Sequence, residues 1–477
     1  MIGLHAWQWS CLPAAQRFAE ALADPLAAQV SCLARSGLDR RGLRRLPLTT
    51  WQDLEPWIGR LRAHADPAIE RLVPTSGSGA ARKLIPWNRP LAREFRTGIA
   101  AWFARLAVQH PDILDGRGYW SITPPITVDH GMSATPIGFA DDTAYLGGRW
   151  GGLVARTLAV NPQMVAGAVG DELLHRTCLG MLACPDLRLI SVWHPTFLLA
   201  LLEHLAQQQE RLLHDLPPAH RSRLRDQSFA QPAALWPDLR VISAWADGPA
   251  AAGAQQVMER CSGIAFQAKG LLATEGLVSI PWSALHPLVV TAHAYEFLLA
   301  DGSVRWPEEM QIGDQAEVLL TTGGGLRRYR LGDLVEVDGM VGRTPSLRFL
   351  GRLGRVSDLV GEKLDELQVQ RILVAAGLSG ALLQADGDQR GYHLLLPRGL
   401  RPADQLAAIT SDIEARLAHS QQYATARALG QLRPLRGVQL SCSTSELLIS
   451  WATHRGQRAG EAKPPTLLLA RDDFQPG

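Results

Sequence analysis

The stretch Leu187–Leu205, LRLISVWHPTFLLALLEHL, predicts a β-strand that is followed directly by an α-helix. The strand portion is rich in apolar and β-branched side chains, and Pro195 opens a run whose leucines recur on one helical face. A near copy of the strand, LRVISAW, lies at Leu239–Trp245 and leads into a second helical segment at about Ala250–Arg260. Two such units predict parallel strands covered by helices, with chance duplication of a common strand pattern as the alternative. Ligands of such sheets bind beyond the carboxyl ends of the strands.

The length of the chain, 477 residues, exceeds one ordinary hydrophobic core and predicts two or three domains. The first 70 residues have a helical pattern that includes a capping box at Thr50–Asp53. Segments at Ala316–Thr321, Leu334–Asp338 and Ser346–Leu350 alternate like antiparallel strands. We therefore expect an α/β fold with a large N-terminal domain of helix-covered mixed sheets, residues 1–350, and a small mobile C-terminal α/β domain, residues 351–477.

The C-terminal segment has its own alternation of helix and strand patterns after the glycine-flanked joint Gly351–Gly354. The expected elements are a helix at about Asp365–Ala376, a hairpin around Ala385–Gly391, helices at Pro402–Ala418 and Gln421–Leu429, and a last strand near Glu446–Trp451.

The composition excludes several classes of protein. Hydrophobic residues make up 46% of the chain and charged residues 20%, which is typical of a folded globular protein. A formal net charge of +2 provides no basic field for nucleic acid. The six cysteines form no CxxC pattern, and no apolar run reaches the length of about 18 residues that a membrane span needs. We expect a cytoplasmic protein with reduced thiols and with neither nucleic acid nor membrane as a partner.

The segment Thr75–Lys83, TSGSGAARK, has the small residues that let a backbone approach phosphate groups, and its lysine adds positive charge. It does not fit a kinase-type phosphate loop, because Arg82 stands where glycine precedes the lysine and Leu84 replaces the Ser or Thr that holds magnesium. A flexible surface turn is the alternative interpretation.

The segment Gly270–Gly276, GLLATEG, places a Thr-Glu pair where a predicted strand ends. The carboxylate of Glu275 could hold Mg²⁺ between phosphate oxygens, and the hydroxyl of Thr274 could bind a phosphoryl group. The alternative is an acidic residue at the N-terminus of a helix.

Two further segments have residues suited to a nucleotide. In Thr321–Asp333, TTGGGLRRYRLGD, Asp333 could accept hydrogen bonds from ribose hydroxyls, and Arg330 could face phosphate or fix Asp333. The alternative is a hairpin with a surface salt bridge. In Phe349–Glu366, FLGRLGRVSDLVGEKLDE, the glycines suit a hinge and Lys363 lies just ahead of a helix, although an isolated lysine is usually solvated.

In this order, the four segments resemble the motifs of the Gretchen Hagen family of plant and bacterial acyl-acid amido synthetases, a branch of the adenylate-forming enzymes. TSGSGAARKLIP is similar to the family's phosphate loop, TSGTSGG-x-x-K-x-IP, with one residue fewer. Ala273–Gly276 matches its Ser/Thr-Glu motif, Gly325–Asp333 matches GLYRYRLGD, and Gly361–Glu366 matches G/S-D/E-K-x-DE. Gly460–Pro464, GEAKP, resembles a terminal G-Q-x-K-x-P element, so the resemblance covers nearly the whole chain.

The resemblance implies ATP and Mg²⁺ as cofactors, a small carboxylic acid as substrate and an amine or amino acid as acceptor. The implied catalytic residues are Lys363, Lys463 and Glu275, and Glu275 is also the implied metal ligand. The implied nucleotide contacts are Ser76, Gly77, Ser78, Gly79 and Lys83 for phosphates, Asp247 and Gly248 for adenine, Thr274 for phosphate, Asp333 for ribose and Phe349 for the ring, with Tyr329, Arg330 and Arg352 beside them. The small C-terminal domain of the family rotates between adenylation and transfer.

This sequence also departs from the family pattern, because its phosphate loop is short and has Ala80-Ala81 where a second glycine is usual. Transfer to a coenzyme A or carrier-protein thiol is an alternative to amide formation, and a non-catalytic nucleotide-binding protein is a third reading. Trp120, His130 and Trp150 lie in the region expected for the acyl pocket, but structural tryptophans are the commoner reading.

Overall fold

The computed structural model describes residues 2–75, 83–121, 133–137, 157–168, 170–386, 388, 390–455, 464–472 and 474. The chain begins with four helices: α1 (Ile2–Ala23), α2 (Pro25–Arg35), α3 (Arg40–Arg44) and α4 (Trp51–Ala63). The capping box predicted at the start of α4 is confirmed, since the backbone N–H and the hydroxyl of Thr50 both donate to the carboxylate of Asp53.

A short antiparallel hairpin, β1 (Arg71–Pro74) and β2 (Leu84–Trp87), precedes the long helix α5 (Arg89–Gln109). The side chain of Asn88 caps α5 by accepting a hydrogen bond from the backbone N–H of Leu91. Most of α5 is buried, and its main helical partner is α1.

A four-stranded parallel sheet forms the centre of the large N-terminal part. Its four strands alternate with helices along the chain. In chain order the elements are β3 (Arg117–Trp120), α6 (Gly170–Leu182), β4 (Leu187–Ser191), α7 (Pro195–Gln207), α8 (Gln209–Asp215), α9 (Pro218–Leu224), α10 (Pro232–Leu235), β5 (Val241–Trp245), α11 (Ala251–Arg260) and β6 (Ala265–Lys269). The strands pair in the order β3-β4-β5-β6, all parallel. The parallel pairing predicted from the repeated LRLISVW and LRVISAW stretches is confirmed.

The next part of the chain is antiparallel. A small hairpin, β7 (Leu272–Ala273) and β8 (Gly276–Leu277), is followed by β9 (Ala294–Leu299), β10 (Val304–Arg305), β11 (Gln315–Thr321), β12 (Tyr329–Val341) and β13 (Thr344–Arg352). The last five strands form one sheet in the order β10-β9-β11-β12-β13, which confirms the predicted antiparallel strands.

The remaining elements are β14 (Val356–Ser357), β15 (Leu364–Asp365), α12 (Glu366–Ala375), β16 (Leu382–Asp386), β17 (Gly391–Leu396), α13 (Leu406–Leu417), α14 (Gln421–Ala428), β18 (Arg436–Gln439), α15 (Thr444–His454) and β19 (Leu467–Leu468). The strand predicted near Glu446–Trp451 is wrong, because α15 covers those residues. Ser443 and Glu446 form a capping box that begins this helix, and Trp451 is buried on one of its faces.

Among the described residues the two largest of four hydrophobic clusters pack around the sheets. The larger extends through the N-terminal part and includes α15, which packs on α7. A second cluster is made only of residues between Leu364 and Leu469. Among the described residues, no helix is both long and apolar enough to cross a membrane.

Candidate active site

A cluster of charges joins the β7–β8 hairpin to the β12–β13 hairpin, with the carboxylates of Glu275 and Asp333 buried and the Arg352 side chain 39% exposed. Asp333 on β12 lies opposite Arg352 on β13, and the guanidinium Nε of Arg352 donates to Asp333 Oδ1 at 3.0 Å. Asp333 is 1% exposed. The carboxylate of Asp333, and after it that of Glu275, raises the pKa of Arg352 above its usual range. Asp333 and Glu275 therefore flank one guanidinium.

Glu275 is placed by the two-residue turn, Thr274-Glu275, that joins β7 to β8. Its side chain is buried, and burial raises the pKa of the carboxyl group, while the charges of Arg352 and then Lys83 oppose that rise. Arg352 and the predicted phosphate-loop lysine, Lys83, therefore both lie within electrostatic range of the Glu275 carboxylate. The reading of Glu275 as the N-terminal acid of a helix is wrong.

The hydroxyl of Tyr329 lies within range of the same charges. Burial raises the pKa of this phenol well above its usual value, and the negative charge of Glu275 raises it further. In the part of the chain that the structure describes, this buried hydroxyl has no hydrogen-bond partner. A buried polar atom without a partner is uncommon in a folded protein and is typical of a position that a ligand or water completes.

The ends of the glycine-rich segment meet beside this cluster. The backbone N–H of Thr75 donates to the carbonyl of Lys83 at 2.9 Å, directly after the pairing of β1 with β2. The other phosphate-loop residues and the terminal lysine lie outside the described residues: Ser76, Gly77, Ser78, Gly79 and Lys463. His130 and Trp150 lie outside them as well.

A second group of predicted residues lies next to the first along β13. Asp247 Oδ2 accepts a hydrogen bond from the backbone N–H of Phe349 at 3.2 Å, and burial raises the pKa of Asp247. Gly248 has a φ of +52°, and a Cβ there would lie 3.2 Å from the Phe349 ring. Both the left-handed backbone and the lack of space for a side chain therefore favour glycine at this position. The ring of Trp245 meets Phe349 edge to face at 5.3 Å. The predicted partners of an adenine ring are thus together.

The proposed fixing of Asp333 by Arg330 is wrong. Arg330 is exposed and binds Glu317 Oε2 at 2.7 Å, because the alternation of β12 points Tyr329 inward and Arg330 outward. Arg352 holds Asp333 instead.

Comparison with known proteins agrees with this arrangement of motifs. The sequence matches the GH3 family N-terminal domain over residues 43–231 and the GH3 family central domain over residues 287–352, which together span more than half of the chain. The chain belongs to the GH3 family, Gretchen Hagen 3.

Relatives of this GH3 chain include two rice proteins. Probable indole-3-acetic acid-amido synthetase GH3.12 is 26% identical over 188 residues, which is 32% of this chain but only 30% of that protein's length. Putative indole-3-acetic acid-amido synthetase GH3.10 is 22% identical over 390 residues, which is 74% of this chain and 80% of that protein. The solved structure of AtGH3.15 acyl acid amido synthetase in complex with 2,4-DB has a TM-score of 0.78 at 16% identity and covers 97% of this chain and 94% of that one. This GH3 chain therefore has the fold of that structure.

Lys363 of this GH3 chain is not brought to the charge cluster. It is exposed and has a φ of +46°, and no hydrogen bond or ion pair joins it to the described residues. The neighbouring Glu362 is buried and accepts from the backbone N–H groups of Leu359 and Val360, each at 2.8 Å. Glu362 therefore anchors the loop that presents Lys363 to solvent.

The sequence analysis missed a pair of residues that positions the site. Glu94 of α5 accepts from the backbone N–H of Gly323 at 3.0 Å and from Nδ1 of His293 at 2.8 Å, while His293 Nε2 accepts from the backbone N–H of Leu277 at 3.1 Å. The pair ties the glycine run before β12 to the hairpin that carries Glu275. The feature of the sequence that could have indicated this pair is Glu94, an acidic residue inside the apolar pattern of a buried helix.

A second missed residue is Lys269, the last residue of β6. It is 9% exposed, its Nζ donates to Ser191 Oγ at 2.8 Å, and the indole centroids of Trp102 and Trp193 lie 4.8 and 5.4 Å away. Burial lowers the pKa of its amine to about 7. Burying an ion costs several kcal/mol, whereas a cation–π contact contributes about 0.5–2 kcal/mol, so the two indoles offset only part of that cost.

Replacing Lys269 by Met is expected to stabilise the folded chain most below pH 7. The unfolded amine keeps its proton up to about pH 10.4, whereas the folded amine loses it near pH 7. The wild type therefore has its full burial cost below pH 7 and regains stability as the pH rises between those values. We expect a gain of up to about 5 kcal/mol, since one pKa unit corresponds to about 1.4 kcal/mol.

Denaturant unfolding between pH 6 and pH 10 measures this effect. Arg105→Met is the matched control, because Arg105, on α5, is likewise a cation above an indole, that of Trp282 at 5.2 Å. A Lys269→Met protein that is less stable than the wild type at pH 6 would contradict the assigned cost.

Proposed function

We propose that this chain is an acyl-acid amido synthetase, which activates a carboxylic acid with ATP and passes the acyl group to an amine. In the first step a carboxylate oxygen attacks the α-phosphorus, the bond to pyrophosphate breaks, and acyl-AMP forms. In the second step the amine nitrogen attacks the acyl carbon, the carbon–oxygen bond to AMP breaks, and the amine releases a proton. Our support is the cluster of Asp333, Glu275 and Arg352 beside the Tyr329 hydroxyl, which has no hydrogen-bond partner among the described residues.

The residues of the cluster fit ATP and Mg²⁺. Magnesium usually binds one or two carboxylates together with substrate phosphates, and Glu275 offers a buried carboxylate within range of the phosphate-loop residue Lys83. Mg²⁺ held by Glu275 would supply positive charge against the phosphates. Asp333 would receive the ribose hydroxyls, with the hydrogen bond from Arg352 holding its carboxylate in place. Phe349 and the Asp247-Gly248 turn would lie along the adenine.

We assign to Lys363 and Lys463 the role of placing positive charge at the reacting phosphate. A cation placed where charge develops lowers the barrier by several kcal/mol. Lys363 would reach the pocket by rotation of residues 351–477, the proposed small domain, about the joint Gly351–Gly354. Gly354 has a φ of +84° and open space around it, whereas a Cβ at Gly351 would lie 2.5 Å from Leu367, so Gly354 suits the turning point better.

The names of the relatives favour an amine as the acceptor, since both rice proteins are called amido synthetases. Acid-dependent exchange of labelled pyrophosphate into ATP, measured over a panel of carboxylic acids, tests the first step. Mass analysis after addition of amines, amino acids or coenzyme A then tests the second. Exchange without any amide product, but with a thioester, would replace the proposed acceptor by a thiol. If no acid supports exchange, the proposed activity is refuted, and a non-catalytic nucleotide-binding protein is the function that remains.

Asp333→Ala is expected to weaken ATP binding by about 1–3 kcal/mol, because it removes a charged hydrogen-bond acceptor from the ribose site. Calorimetric titration with ATP measures the change. Glu336→Ala is the matched control, since Glu336 lies on the same strand and also binds an arginine of β13, Arg348, but at the protein surface. Equal ATP affinity in both folded variants would refute the ribose assignment.

Lys363→Ala is expected to slow adenylation about 10²-fold or more, because it removes positive charge from the transition state. Since Lys363 is exposed and unpaired among the described residues, its loss should not disturb folding. Pyrophosphate exchange measures the rate, and Arg371→Ala, at an exposed position of α12, serves as the control. Exchange at the wild-type rate in the Lys363 variant would show that another cation has this role.

A further inference from the structure

Lysine is scarce in this chain. Of 48 basic residues only four are lysines: Lys83, Lys269, Lys363 and Lys463. Three of these lie in segments that the proposed function already uses, and Lys269 belongs to none of them. Arginine is the ordinary cation of the chain, so a buried lysine indicates a position that needs a compact amine, whose charge responds to its surroundings, instead of a broad guanidinium.

The register of the parallel sheet defines the surroundings of Lys269. Ser191, Ser243 and Gln267 are aligned across β4, β5 and β6, and Lys269 lies two residues beyond Gln267, on the same face and at the carboxyl edge. Trp102 of α5 covers this face, since its indole Nε1 donates to Gln267 Oε1 at 2.8 Å. The amine therefore lies where ligands of parallel sheets bind.

The described residues provide Lys269 with no counter-charge. Its one hydrogen-bond acceptor among them is the neutral Ser191 hydroxyl, and its other close neighbours are the faces of Trp102 and Trp193. An ammonium can donate three hydrogen bonds, so two donor positions lack an acceptor. Gln267 and Trp193 are only partly buried, which leaves this part of the sheet edge accessible to a ligand.

Lys269 is also close along the chain to the cluster of Asp333, Glu275 and Arg352, because Glu275 follows it by six residues. An acid whose reacting carboxylate meets a nucleotide at that cluster could reach Lys269 with its far end. The indoles of Trp102, Trp120 and Trp193 offer flat apolar walls to the body of that acid.

We propose that Lys269 is a specificity residue that binds a second acidic group at the far end of an aromatic acid substrate. This inference rests on the proposed function. The distal anion would supply the counter-charge and the acceptors that the buried ammonium lacks, in a region where water does not screen the pair. An acid without that group would leave the ammonium unpaired, which is the situation in which enzymes discriminate most strongly between substrates.

The test compares matched aromatic acids in pyrophosphate exchange. The probes are phenylacetic, 3-phenylpropionic and 4-phenylbutyric acids, each with a para-carboxyl group or with a neutral para-isopropyl group of similar shape. The wild type is expected to favour the para-carboxyl partner of at least one pair by about 100-fold or more in kcat/KM. Lys269→Met is expected to abolish that preference, and Lys269→Arg, which keeps the charge, to restore part of it.

Arg105→Met is the control and is expected to keep the wild-type preference, because the guanidinium of Arg105 binds Ser283 and lies over the indole of Trp282 instead of those of Trp102 and Trp193. Direct binding of the para-carboxyl acids, followed by calorimetry, should weaken at least 30-fold in Lys269→Met. Exchange that proceeds with equal preference in wild type and Lys269→Met would overturn the assignment and leave the proposed function standing. If the para-carboxyl acids bind in a way that depends on Lys269 but no acid supports pyrophosphate exchange, the proposed synthetase activity is refuted and the anion-binding role of Lys269 stands.

Discussion

The arrangement of this site depends on the guanidinium of Arg352, which lies between two carboxylates that come from different hairpins. Asp333 reaches it by direct pairing across β12 and β13, and Glu275 reaches it from the turn between β7 and β8. Two buried carboxylates repel each other in a region of low dielectric, and the guanidinium between them offsets that repulsion. Arg352 therefore lets acidic groups from separate segments share one site, where they can receive a cation or hydroxyl donors.

A second buried pair keeps those hairpins in place. Glu94 and His293 bond to the backbone N–H groups of Gly323 and Leu277, which lie next to the β11–β12 connection and in β8, respectively. A Cβ at Gly323 would lie 2.7 Å from Pro90, so glycine is required there for the loop to approach α5. The glycine run in the TTGGG segment thus serves close packing against a helix, and the pocket gains its rigidity from contacts outside it.

Much of this architecture could be predicted from sequence, because local patterns decide it. The repeated LRLISVW and LRVISAW stretches predict parallel strands, and the capping box at Thr50 begins a helix. Sequence reasoning failed where a local pattern has two readings. Glu446–Trp451 is apolar enough for a strand, but Ser443 caps it as a helix. Of the two roles considered for Arg330, facing phosphate or fixing Asp333, the second is wrong because alternation along β12 separates the two side chains. Lys269 could not be assigned, because its surroundings come from Ser191, Trp102 and Trp193, which are distant in sequence.

The proposed site therefore has two ends that attract groups of opposite charge, the carboxylates of Asp333 and Glu275 at one end and the amine of Lys269 at the other. At one end Asp333 and Glu275 need cations and donors, which a nucleotide with its metal ion supplies. At the other end Lys269 needs an anion or an acceptor, and burial rather than a neighbouring charge sets its pKa. In the proposed reaction one carboxylate of the acid meets the nucleotide at the first end while a second acidic group pairs with Lys269, and these two contacts would orient the acid before any bond is made.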